Sequence, residues 1–254
     1  MRIEVAGITH VGMKRNHNED NYLLMPEENL CCVADGMGGH SSGEIASKIA
    51  VEELGEFFKM TSRDADATWP FKMDKTRNYD ENRLATGIKL ANAKIFERAS
   101  GDTKYKGMGT TIVTVHFANA AAYVGHVGDS RVYFFHDGAL SQVTEDHSLL
   151  NDYLKAKKLS PEEIENFPHK NVIVRALGMK ESVVVDVSRI EPKQGDIFLL
   201  CSDGLSGMVT DPQIQEVLTR TNELEKACSQ LIDLANAAGG NDNVTCVLAR
   251  YHDT

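Results

Sequence analysis

Apolar positions along this chain recur at two spacings. Where they return every three or four residues, the pattern predicts helices. Ser41-Ser42-Gly43-Glu44 opens one such segment, running to about Phe58, with Ile45, Ile49, Leu54, Phe57 and Phe58 on one stripe. A second spans Asn82 to Ala99 on Leu84, Ile88, Ala91 and Ile95. Asp211-Pro212 reads as an N-cap followed by proline at the first helical position, and a longer helix from Glu223 to Ala238 stops at Gly239-Gly240. All four are amphipathic and need a surface to cover.

That surface reads as sheet. Thr111–Phe117, Ala121–Val127, Arg131–Phe135, Val183–Ile190, Ile197–Leu200 and Val244–Ala249 are rich in branched and aromatic residues. Asn119-Ala120 and Asp137-Gly138 are the length of hairpin turns, so at least part of the sheet is antiparallel. Strands, two helices, strands and two more helices give an α+β fold with helix pairs packed on sheets. Two segments break the pattern: a polar, turn-rich stretch from Lys59 to Asp80 around Trp69-Pro70-Phe71, and a long connection from Ser148 to Lys170 with a short helical piece near Pro161 to Asn166. Connections this long are commonly functional. For Trp69-Pro70-Phe71, packing onto the chain itself is favoured over docking a partner.

Composition narrows the classes. At 254 residues without internal repeats, residues 1–254 read as one domain. A net charge of −10 disfavours nucleic acid or an anionic membrane surface as partner, since both would repel the chain. No run of about 18 apolar residues and no signal-type leader is present, so the expected compartment is the cytosol. Five cysteines sit in apolar runs or on a helical stripe, without C-x-x-C spacing, and read as buried thiols rather than zinc ligands or disulfides.

The candidate chemistry lies at the ends of the apolar runs. Leu30 to Ala34 leads into Asp35-Gly36, Ala122 to Gly128 into Asp129, Ile197 to Ser202 into Asp203-Gly204, and Asp242-Asn243 precedes Val244 to Ala249. A single Asp-Gly after a strand is ordinarily a tight turn, and Asp137-Gly138 is assigned no other role. Asp35, Asp203 and Asp242 at neighbouring strand ends would repel one another without a counterion. An all-oxygen set suits magnesium or manganese; it lacks the histidines and thiols zinc prefers. Near the start, Arg15-Asn16-His17-Asn18-Glu19-Asp20 adds a planar guanidinium matched to a phosphate, with two carboxylates that could orient metal-bound water. Cations, activated water and an anion clamp are what phosphoester hydrolysis needs.

These residues resemble a family, the metal-dependent serine/threonine protein phosphatases of type 2C in their single-domain bacterial form. Arg15 to Asp20 is similar to its opening Arg-x-x-Asn-(Glu/Gln)-Asp element, and Asp35-Gly36-Met37-Gly38-Gly39-His40 to its Asp-Gly-Met-Gly-Gly segment. Met108-Gly109-Thr110-Thr111, Gly125 to Arg131, Asp146-His147-Ser148, Arg175-Ala176-Leu177-Gly178, Ser202-Asp203-Gly204-Leu205 and Gly240 to Val244 follow in the family's order. The resemblance covers essentially the whole chain. It implies a four-layer α-β-β-α sandwich of two mostly antiparallel sheets, with a binuclear manganese or magnesium centre at one end.

By the same resemblance, Asp35 bridges both metals and the Gly36 carbonyl joins the second. Asp203 and Asp242 hold the first, Glu19 and Asp20 act near the second largely through water, and Asp129 serves with Asp203 at a weaker third site. Arg15 clamps the substrate phosphate, and residues 148–170 form a flap whose Lys155, Lys157, Lys158 and Lys170 could steer acidic phosphopeptides. Implied partners are phosphorylated proteins and a cognate kinase, with the chain a monomer. One departure is Met37, where many eukaryotic members carry a histidine proposed as general acid. His40 is not assumed to replace it, and His147 reads as a structural hydrogen-bonder. The other readings are a small-molecule or phosphorelay phosphoesterase and a non-catalytic regulatory pseudophosphatase, the latter disfavoured because Arg15, Asp35, Asp203 and Asp242 are all present.

Overall fold

The apolar runs pair into two antiparallel sheets. In the computed structural model, which describes residues 2–38, 42–64, 68–156 and 172–253, the first sheet comprises β1 (Arg2–His10), β7 (Arg131–His136), β8 (Ala139–Gln142), β10 (Ile197–Cys201) and β11 (Val244–His252), ordered β1-β11-β10-β7-β8. The second comprises β2 (Asp20–Met25), β3 (Leu30–Met37), β5 (Ile112–Ala118), β6 (Ala121–Val127) and β9 (Asp186–Ile190), ordered β2-β3-β5-β6-β9, with β4 (Gly109–Thr110) paired to β3.

The near-continuous apolar character of the central strands follows from burial on both faces. In β3, Cys31 and Val33 point to the opposite sheet, joining Val115 and Phe117 of their own sheet and Phe198, Leu200 and Val247 of the facing one. Leu30, Cys32 and Ala34 point the other way, onto helices α1 (Ser42–Arg63) and α2 (Tyr79–Gly101). In the first sheet the same alternation sends Leu199, Cys201 and Leu248 outward against Ile214 and Leu218 of α5 (Asp211–Arg220) and Leu231 of α6 (Leu224–Ala237). Phe117 and Phe198 meet edge to face across the inter-sheet layer, ring centroids 5.3 Å apart. The result is the α-β-β-α sandwich.

Local chemistry sets the ends of these elements. Asn78 and Glu81 form a reciprocal capping box that starts α2: the Asn78 side chain accepts the Glu81 N–H at 2.9 Å, and Glu81 Oε2 accepts the Asn78 N–H at 2.8 Å. The helix therefore begins before Asn82. α1 likewise runs past Phe58 to Arg63, so the polar stretch expected over 59–80 is shorter at both ends. Within it, Trp69 packs against Phe57 and Tyr79, ring centroids 5.7 and 5.2 Å apart, as self-packing requires. α5 is capped one residue earlier than expected, by Thr210, whose N–H donates to Gln213 Oε1 at 3.0 Å.

The hairpin turns are as read. Asn119 and Ala120 have φ of 51° and 58°, and Asp137 and Gly138 have 48° and 79°, the left-handed pair that a two-residue hairpin demands. The strand expected from Val183 starts only at Asp186. Ser148 to Lys170 contains a helix the spacing did not predict, α3 (Leu149–Ala156), while the helical piece near Pro161 to Asn166 lies outside the described residues. No helix among the described residues is long and apolar enough to cross a membrane.

Candidate active site

Five aspartates converge at one end of the sandwich, delivered by both sheets. Asp20 and Asp35 are register partners across β2 and β3 of the second sheet. Asp203 opens the short helix α4 (Asp203–Ser206) immediately beyond β10, and Asp242 sits just ahead of the neighbouring β11. Asp203 and Asp242 thus come from adjacent strands, as expected, whereas Asp35 faces them from the opposing sheet and shares a hydrogen bond with the Asp203 carboxyl. Asp129 lies where the chain passes from β6 in one sheet to β7 in the other. Asp137, equally strand-terminal, stays in its hairpin and takes no part.

The cluster is electrostatically strained. Burial, then the Asp20, Asp203, Asp129 and Asp242 charges, hold the Asp35 carboxyl well above the ordinary carboxylate range. Burial pushes Asp20 up to about 6 against the lowering effect of its Thr245 and Ser202 hydrogen bonds, and pushes Asp129 up to about 7 with help from Asp203. Asp203 is raised by burial and by Asp242. Each raised value means that the site resists its own negative charge.

Two oxygens sharpen what would relieve that strain. Asp20 Oδ2 accepts hydrogen bonds from Thr245 Oγ1 at 2.6 Å and Ser202 Oγ at 2.8 Å, yet its buried Oδ1 has no partner. Asp129 Oδ1 is likewise buried and unpartnered. Oriented carboxylate oxygens without donors, in an all-oxygen set, fit a hard divalent cation.

The loop Val11 to Glu19 closes over the cluster. Arg15 Nη2 donates to Asp242 Oδ2 at 2.7 Å, both side chains being open to solvent. Glu19 Oε1 accepts the Gly43 N–H at 3.2 Å near the start of α1, and its carbonyl accepts from Gly36 N at 3.1 Å and Ser47 Oγ at 2.5 Å. A side chain on Gly36 would put its Cβ 2.2 Å from the Gly43 carbonyl oxygen, so this strand end can lie against α1 only as glycine. Asp35 is fixed from the other side, its N–H donating to Thr111 Oγ1 at 3.0 Å and its carbonyl accepting from Thr111 N at 2.8 Å.

A cleft of about 450 Å³ opens beside the aspartates, lined in part by Asp129, Arg131, Asp146, Ser148, Asp203 and Asp242. Arg131 and Asp146 pair as a fork, Nη2 to Oδ2 at 2.7 Å and Nε to Oδ1 at 3.0 Å, which takes that guanidinium out of play as an anion clamp. Of the four lysines expected to steer phosphopeptides, Lys155 pairs with Glu145 at 3.0 Å; Lys157, Lys158 and Lys170, like His40, lie outside the described residues.

His126, His147 and Asp186 also stand within metal-ligand spacing of one another. Hydrogen bonding argues against an ion there. His147 Nδ1 accepts the Gly128 N–H at 3.0 Å, which puts the ring proton on Nε2, 2.8 Å from Asp186 Oδ2. His147 is therefore a structural link, as its sequence context suggested. Sequence reasoning gave no role to Ser202, Thr245, Thr111 or Asn243, all of which hold the carboxylates or the Arg15 loop. Asn243, next to Asp242, carried the one available signal: a buried amide beside a candidate ligand.

Comparison with known proteins converges on one description. The family model for protein phosphatase 2C matches residues 10–249. A protein phosphatase, PhpP, of Streptococcus pneumoniae is 35% identical over 254 residues, covering 99% of this chain and 98% of the relative. The serine/threonine phosphatase PstP/Ppp of Mycobacterium tuberculosis superposes with a TM-score of 0.87 at 32% identity, covering 100% of both chains. A structure of the PstP catalytic domain in complex with two manganese ions superposes with a TM-score of 0.82, again at 32% identity and 99% of both chains.

Proposed function

Because this chain belongs to the protein phosphatase 2C family, we propose that its converging carboxylates hold two manganese or magnesium ions and that it transfers the phosphoryl group of phosphoserine or phosphothreonine directly to water. It is a serine/threonine protein phosphatase, with manganese or magnesium as its cofactor and phosphorylated proteins as its substrates. The observation that carries the mechanistic reading is the meeting of Asp20, Asp35, Asp129, Asp203 and Asp242 from both sheets, with the buried Oδ1 atoms of Asp20 and Asp129 unpartnered.

In this reading Asp35 would serve both ions and the Gly36 carbonyl the second, while Asp203 and Asp242 would hold the first. Glu19 and Asp20 would orient water near the second, and Asp129 with Asp203 would make a weaker third position. The ions, when bound, supply an acidified water as nucleophile and offset negative charge at phosphorus. The chain's own residues do the rest. Ser202 and Thr245 hold one oxygen of Asp20, so the other keeps a fixed direction. Thr111 anchors the Asp35 backbone on both its N–H and its carbonyl.

Arg15, exposed and on a loop, presents the planar fork that matches two phosphoryl oxygens and stabilises the charge they gain in the transition state. No phosphoenzyme is required. His147, with both ring nitrogens engaged, is not assigned as acid for the leaving alkoxide. Residues 1–254 act as one catalytic unit, monomeric, cytosolic and opposed to a cognate kinase; the net charge of −10 supports a protein rather than a nucleic-acid substrate.

The test is phosphate release from phosphothreonine peptides, with and without manganese, for wild type and Asp35→Asn. Activity that needs manganese and is lost in the variant is the expected result. Activity without added metal, or unchanged in the variant, would refute the mechanism.

A further inference from the structure

We propose that Asn243 is a positioning residue for phosphate capture, one amide that holds both ends of the Arg15 loop against the strand end bearing Asp242; this rests on the reading of Arg15 as the phosphate clamp. The Asn243 side chain is buried, 5% of the residue being exposed, and among the described residues every hydrogen bond it makes is to the backbone of that loop. Its Nδ2 donates to the Val11 carbonyl at 2.9 Å and to the His17 carbonyl at 2.8 Å. Its Oδ1 accepts the Glu19 N–H at 2.8 Å. The partners fix the amide's orientation, because two carbonyls must face the nitrogen and one N–H must face the oxygen.

The same residue reaches the carboxylate on the other side. The Asn243 backbone N–H donates to Asp242 Oδ1 at 2.9 Å, while Asp242 Oδ2 accepts from Arg15. Further contacts complete the seat: Met13 N and Lys14 N both donate to the Gly240 carbonyl, and Gly12, at φ +81°, lies so close that a Cβ would come 2.1 Å from the Asp242 carbonyl oxygen. Among the described residues, only the Asn243 side chain ties residues 11, 17 and 19 to one point, so it sets where the guanidinium between them can stand. Aspartate has the length but not the two donors, serine is too short, and glutamine is a methylene too long. Since Asp242 is held through the Asn243 backbone, side-chain substitutions leave that contact available.

A double-mutant cycle tests this with manganese held saturating. Arg15→Ala, Asn243→Ala and the pair are compared by KM and kcat for para-nitrophenyl phosphate and by inhibition by inorganic phosphate, with manganese affinity measured separately by calorimetry. If Asn243 acts through Arg15, Asn243→Ala raises KM and the phosphate inhibition constant by about tenfold, the double variant falls no lower than Arg15→Ala, and manganese affinity changes by less than about threefold.

Asn243→Asp, which keeps the volume and the Glu19 bond but repels the Val11 and His17 carbonyls, gives the same pattern if the alanine variant folds poorly. Losses that multiply in the double variant, or a fall in melting temperature with KM and phosphate inhibition unchanged, overturn the inference. If Arg15→Ala itself leaves KM and phosphate inhibition untouched, the clamp reading fails first, and the positioning role with it.

Discussion

Arg15 and Asp242, 227 positions apart in the chain, meet at 2.7 Å, so the residue read as the phosphate clamp is held by one of the carboxylates read as metal ligands. The pair is exposed, with side-chain exposures of 53% and 37%, and an exposed ion pair contributes about 0–1 kcal/mol. It is therefore easily exchanged for a phosphate on one side and a cation on the other.

Two opposite effects are expected from Arg15→Ala. Removing the competitor for Asp242 should tighten manganese binding by at most about fivefold, in line with the weakness of the pair. Loss of a charge-assisted fork to phosphate should lower kcat/KM by about 10- to 100-fold. Calorimetry with manganese and steady-state kinetics read the two separately, and a loss of metal affinity would contradict the arrangement.

Asp20→Asn should raise the stability of the chelator-treated protein while weakening manganese binding. Asp20 is almost wholly buried and its pKa is lifted from 3.8 to about 6, so its ionised form is a stability cost on the order of 3 kcal/mol above that pH. The sign follows from the raised value: the native state keeps its proton to higher pH than the unfolded chain, and stability is lost as pH rises through about 6. In EDTA at pH 7.5 the variant should melt above wild type, and the gap should close toward pH 5. Scanning calorimetry across that range would expose a gap that is absent or reversed.

Acid should destabilise the fold at the stacked pair His126 and His147. His126 and His147 stack with ring centroids 4.4 Å apart, and both are held below the usual histidine range, first by burial and also by mutual or Arg175 repulsion. The Asp186 and Glu145 contacts only partly offset this. Between the lowered folded value and 6.5 the unfolded chain binds more protons, so stability falls as pH drops below about 6.5. The slope of melting temperature against pH between 7 and 5.5 should be shallower in His126→Phe, which keeps an aromatic partner for His147 but cannot titrate. An unchanged slope would rule out the pair as its source.

Ala120→Gly should stabilise the protein by about 0.5–1 kcal/mol, because Ala120 is exposed and sits at φ 58° in the β5–β6 hairpin, where an L side chain is disfavoured and glycine is not. Asn119, whose side chain donates to Asp80 at 2.9 Å, is left in place. A rise of roughly 1–4 °C in melting temperature is the expected reading.

Much of this protein was legible in the sequence because local spacing reports which faces of an element are buried. Period-four stripes marked α1, α2 and α6, and uninterrupted apolar runs in β3, β10 and β11 reflect strands with helices on one side and a second sheet on the other. β1 and β2 had no such signal: most of their residues are half-buried and mixed in character, and their strand form depends on pairing with β11 and β3. Asp35, Asp129, Asp203 and Asp242 could be nominated from their strand-end positions, and Asp20 from the charged run that follows Arg15. Only the tertiary structure decided that Asp35 comes from the sheet opposite Asp203 and Asp242, that Arg15 lies on Asp242, and that Asn243 ties the loop between them. Those relationships join segments some two hundred residues apart, and they exist because the closing of two sheets on one another, rather than any local propensity, brings those ends together.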